Sequence, residues 1–168
     1  MQYLLAAGYS VNDDTAWGAT SALAEAVTNN RTKAIRFLID SGATVDEDVV
    51  IRANTIEIID ILRSHVDQEL LETCGVLQAA TMRRQRELVL HMLSIGMDVN
   101  GRHHGHTSLM SLVMKEDLSE MIKFMLSKDA DVSLQSTRTG DTACAFPSYS
   151  LNTELTCNSA QSLPPEHY

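Results

Sequence analysis

The chain has 168 residues, 44% of them apolar and 5% aromatic, and carries a formal charge of −9 from 22 acidic and 13 basic residues. This apolar content excludes a fully disordered chain, and so few aromatics leave Leu, Ile, Ala, Val and Met to build the core. The acidic excess argues against nonspecific binding to nucleic acid or an anionic membrane, because both depend on neutralising phosphates.

In chain order, residues 1–7 read as part of a helix with Leu4 and Leu5 apolar, closed by Gly8. The chain thus opens on what elsewhere is the second helix of a pair, so an array is expected to begin upstream of Met1 in a longer protein. Residues 20–27 read as a short helix facing inward with Ala22, Leu23, Ala26 and Val27, and Asn29 and Asn30 break it. Thr32 is the expected cap of a helix over 33–40, with Ile35, Leu38 and Ile39 as its stripe and Ser41–Gly42 as its end. Residues 48–53 make a helical stub and 56–64 a helix, and a loop or further helical turn covers 66–73. Helix pairs follow at 76–82 with 87–93, where Ala79 and Ala80 allow close approach, and at 108–114 with 118–126. Met110, Met114, Met121 and Met125 read as packing residues that fill gaps. Gly140–Ala143 looks like the start of another unit, but Pro147 blocks the helix that should follow, and 144–168 read as a disordered tail.

One phrase punctuates these elements. AAGYSVN at 6–12 returns as DSGATVD at 40–46, SIGMDVN at 94–100 and SKDADVS at 127–133. Gly8 to Gly42 is 34 residues, and Gly96 to Asp129 is 33. Recurrence at this spacing marks a stacked repeat array. Gly42 to Gly96 is 54 residues, so the array is irregular there. The reading is an all-α solenoid of about four helix pairs spanning 1–143, with incomplete ends and a clipped unit near 46–65. Gly42 and Gly96 are expected at positive φ, with Asp129 in the equivalent place.

The chain resembles the ankyrin repeat family. The clearest unit is GHTSLMSLVMKEDLSEMIKFMLSKDADV, 105–132. The family opens with Gly, any residue, Thr, Pro and Leu and closes on GADVN. Gly105, Thr107 and Leu109 match the opening and Ala130, Asp131 and Val132 the close. Ser108 stands where Pro is usual, Met110 where His is frequent and Asp129 in place of the closing Gly. The resemblance covers about 2–143. It implies hairpins and first helices lining a concave surface that takes a protein partner, with second helices on the convex back. The function it implies is a non-catalytic protein–protein interaction module or scaffold. The alternative is a regulatory or targeting segment of a larger multidomain enzyme or nucleotide-dependent signalling protein.

The candidate partner-binding residues are those the helices do not need: Trp17, Asp46, Glu47, Arg102, His103 and His104, all expected on hairpins. Against them the apolar stripe of Ile35, Leu38, Ile58, Leu62, Leu90, Leu93, Ile122 and Leu126 is expected to stack. His103, His104 and His106 form the only histidine cluster, but two are adjacent, glycines flank them, and no carboxylate or thiol sits at a ligand spacing. No metal, cofactor or catalytic residue is expected. Arg83, Arg84 and Arg86 read as a solvated interhelix loop, and Cys74 as a small buried hydrophobe. No window is long and apolar enough for a bilayer span, the N-terminus lacks a secretion signature, and three cysteines without metal spacing fit a reducing compartment. An intracellular, cytoplasmic location is expected, with the nucleus open.

Overall fold

The computed structural model describes residues 10–12, 20–114 and 119–143. The helix expected at 1–7, Trp17 and the tail at 144–168 lie outside the described residues. The chain divides into two compact units, the first ending at Asp98 and the second beginning at Val99.

In the first unit, α1 (Ala22–Thr28) is capped by Ser21, whose hydroxyl accepts from Ala24 N–H at 3.1 Å. It buries Leu23, Ala24, Ala26 and Val27, while Ala22 is exposed. The next helix, α2 (Thr32–Asp40), buries Ile35 and Leu38. Thr32 is its first helical residue and not its cap; Arg31 holds the cap position without a side-chain bond. Then come α3 (Glu47–Ile51), α4 (Ile56–Leu62) and a short extra helix, α5 (Gln68–Thr73), within the stretch read as a loop or helical turn. A second regular pair, α6 (Val76–Met82) and α7 (Arg86–Ser94), completes the unit. First helices pack in a row, α1 on α3 and α3 on α6, and α2 packs on α4. Small, fully buried side chains at these contacts (Ala24, Val49, Val50 and Ala80) let the helices approach closely.

The stripe expected for α7 is out of phase. Leu90 is 42% exposed and Leu93 half-buried, while Leu88, Val89 and Met92 are buried. Met114 is likewise exposed, at 55%, whereas Met110, Met121 and Met125 fill the core as expected. In the second unit a hairpin of β1 (Arg102–His103) and β2 (His106–Thr107) leads into α8 (Ser108–Val113), which packs on α9 (Ser119–Leu126).

The copies of the recurring phrase at 40–46, 94–100 and 127–133 share one backbone form. Gly42 N–H bonds Ile39 C=O and Ala43 N–H bonds Leu38 C=O. Gly96 and Met97 repeat this on Leu93 and Met92, and Asp129 and Ala130 on Leu126 and Met125. Such paired bonds satisfy the last carbonyls of a helix and need a left-handed residue. Gly42, Gly96 and Asp129 supply it at φ 89°, 97° and 62°. Two of the first helices, α1 and α6, end the same way, with Asn30 at φ 54° and Arg84 at φ 61°.

Candidate functional site

The hairpin of the second unit is set by its turn. His103 pairs with His106 and Arg102 with Thr107, leaving His104–Gly105 as a two-residue loop. Both have positive φ, 51° and 84°, the requirement of the turn that matches strand twist. The hairpin runs straight into α8, because the buried Thr107 caps that helix by accepting from Met110 N–H at 3.2 Å. Arg102 and His104 are exposed and His103 half-buried. The His103 and His104 rings lie 3.9 Å apart at 45°. Arg102 Nη2 donates to Gln135 C=O at 3.2 Å.

A second hairpin begins beside the first. Gln135 bridges Thr142 antiparallel, which brings the GDTA segment back beside Gln135. Thr137 N–H bonds Gly105 C=O, and a Cβ at Gly105 would sit 2.6 Å from Thr137 Oγ1. Only glycine allows this approach.

Asp46 and Glu47, expected on a hairpin, are at a helix start. Asp46 is the N-cap of α3, its carboxylate accepting from Val49 N–H at 3.0 Å, and Glu47 is the first helical residue. No hairpin separates the phrase from the helix here, which is why the unit is short. The structure therefore brings Arg102, His103 and His104 together, and sets Asp46 and Glu47 in the other unit. Close to Asp46 in the chain is an ion pair on α3. Arg52 makes a two-pronged pair with Asp48 at 2.9 and 3.0 Å, which with Glu25 and Asp46 nearby holds the guanidinium above its ordinary value. The i,i+4 spacing of Asp48 and Arg52 was the available signal.

On the second helices, open grooves of about 600 and 680 Å³ flank α4, against α2 and α7 respectively, and share Ile56 and Glu57. Cross-repeat pairs tie these helices: Asp60 to His91 at 2.9 Å and Arg36 to Glu57 at 4.0 Å. Gln85 Nε2 donates to Asn54 C=O at 2.9 Å, while Gln85 Oε1 and Asn54 Oδ1 are buried without a partner.

Among the described residues no group of His, Cys, Asp and Glu has the arrangement to hold a metal ion, and no helix is long and apolar enough to cross a membrane. Cys74 is fully buried, its thiol donating to Leu71 C=O at 3.4 Å. Burial pushes that thiol up to about 11, which leaves it protonated and unreactive near neutrality.

No family model matches the chain, and no curated protein matches it. Solved structures do. The human ASB11 ankyrin repeat domain superposes with a TM-score of 0.68 over 97% of this chain and 77% of its own, at 21% identity. EF0377, an ankyrin repeat protein, gives 0.62 over 90% and 83%, at 22% identity. Likeness at this level of identity establishes architecture, and it agrees with the helix pairs, the left-handed helix ends and the hairpin: the chain has the ankyrin repeat fold, an all-α array of stacked helix–turn–helix units.

Proposed function

We propose that the chain is a non-catalytic protein-interaction module whose partner lies along the concave face expected of such arrays and contacts the hairpin tips. The observation that carries this reading is the hairpin at 102–107, which sets Arg102 and His104 in solvent on a rigid turn. Their side chains contribute nothing to the buried core, so they can vary while the helices keep stacking. Trp17, Asp46 and Glu47 complete the proposed contact set. The fold supports binding over catalysis because its exposed surface is extended and built from separable pieces.

Affinity capture from the native cell, followed by identification of what is retained, names the partner. Ala at Arg102, His103 and His104 should then weaken binding by about tenfold or more, in the range of interface anchors, with only a small change in the unfolding midpoint. Asp46 needs a different substitution. Asp46→Asn removes the charge yet keeps a good helix cap, so lost affinity would report contact and not a frayed α3. Protection by the partner confined to α2, α4 and α7, with the hairpin still free, would overturn the placement.

A further inference from the structure

Two asparagines end the recurring phrase, and both use their side chains to clasp the next unit. Asn12 Oδ1 accepts from Thr44 N–H at 2.8 Å, and its Nδ2 donates to Gly42 C=O at 2.9 Å. Asn100 Oδ1 accepts from Asp131 N–H at 2.8 Å, and Asp131 stands where Thr44 does in the phrase. The two differ in the next residue along the chain: Asp13 after Asn12, Gly101 after Asn100. Asn100–Gly101 is the one Asn–Gly pair in the chain. Glycine has no Cβ to shield its own backbone nitrogen, and Gly101 N–H makes no hydrogen bond to another described residue.

We propose that Asn100 is a site of spontaneous deamidation, and that its conversion opens the clasp to Asp131. The Gly101 nitrogen attacks the side-chain carbonyl carbon of Asn100 and gives up its proton to solvent. The bond from that carbon to Nδ2 breaks, and Nδ2 leaves as ammonia, closing a five-membered succinimide. Water then opens the ring at either carbonyl. One opening gives aspartate, and the other gives isoaspartate, in which the main chain runs through the former side chain. The balance is one amide and one water converted to one carboxylic acid and one ammonia.

Both products disturb the joint. Each adds a negative charge to the side chain that meets Asp131 N–H, and Asp131 carries its own carboxylate, held by Ser133 through N–H at 2.8 Å and Oγ at 2.6 Å. That hydrogen bonding keeps Asp131 ionised by lowering its pKa, so the new charge meets a like charge. Isoaspartate also lengthens the main chain by one carbon just before β1, moving the acceptor out of register with Asp131 N–H. Asp46 shows an acid at the same place in the phrase, and there the carboxylate turns to its own helix, accepting from Val49 N–H.

The test ages the intact chain at physiological temperature in mildly alkaline buffer, with peptide mapping by mass spectrometry over time. A Gly101→Ala variant is carried alongside, since Gly101 does not sit at positive φ and a Cβ there brings no left-handed backbone strain. Asn100 should convert first, to a mixture of aspartyl and isoaspartyl peptides, with Asn12 still an amide. Gly101→Ala should slow conversion by about tenfold or more, through shielding of the nitrogen. In the converted fraction the Asp131 amide should exchange with solvent about fivefold faster or more, the loss expected for one hydrogen bond. Conversion of Asn12 as fast as Asn100 would overturn the assignment. So would an Asn100 that stays intact in the folded chain after the unfolded chain has fully converted. Unchanged exchange at Asp131 in converted protein would overturn the link to the clasp.

Discussion

At the scale of single residues, the left-handed positions are the most quantitative. Gly42 and Gly96 face open space where a Cβ would go, so Ala at either should cost only the backbone term, about 1 kcal/mol. Arg84 and Asp129 already bear that strain at φ 61° and 62°. Glycine relieves about 1–2 kcal/mol of left-handed strain but loses about 0.5–1 kcal/mol in chain entropy. Arg84→Gly should therefore stabilise, by up to about 1.5 kcal/mol. Asp129→Gly should be close to neutral, because a short polar side chain tolerates this conformation better. Urea unfolding of the four variants checks the order. Cys74 gives a pH prediction. Its folded thiol titrates at about 11 against an ordinary 9.0. Between those values the unfolded chain has lost a proton that the folded chain keeps, so stability falls as pH rises from 9 to 11. At about 1.4 kcal/mol per pH unit the loss is about 2–3 kcal/mol. Cys74→Ala should be less stable near neutrality yet lack this alkaline decline, which unfolding midpoints across the range would show.

Individual elements were legible where local rules decide them. The bounds of α6 match the reading residue for residue, and positive φ at Gly42, Gly96 and Asp129 followed from their place in the phrase. The face of α7 was not legible. Leu88, Val89, Leu90, Met92 and Leu93 are all apolar in a helix of nine residues, so periodicity admits more than one phase. Packing chose Leu88, Val89 and Met92. Leu90→Ala should accordingly change stability by less than about 0.5 kcal/mol, while Met92→Ala should cost about 2–5 kcal/mol. Equal losses in chemical denaturation would restore the original stripe. Asp46 was misplaced for a related reason. Its acidic neighbourhood reads equally well as a hairpin tip or a helix start, and only the absence of residues between phrase and helix decides it.

For the whole molecule, the repeat spacing and turn chemistry made the fold class readable, because both are written within a few residues of each other. The ties between repeats were not. Asn12 to Thr44, Gln85 to Asn54 and His91 to Asp60 each join residues about 31 positions apart, and nothing local in the sequence marks a side chain as reaching that far. The candidate contact residues fall in both units. Arg102, His103 and His104 share a turn, whereas Asp46 and Glu47 belong to the other unit.

The Asp46 cap has a consequence for how such arrays change by deletion. Removing a hairpin strands the helix start behind it, with its first amides unsatisfied. Here the last residue of the phrase covers that start itself, so the shortened unit needs no new part. An oxygen in place of an amide group at one position separates a residue that joins neighbours from one that seals its own helix. Layers can then lose their outer edge while keeping their place in the pile.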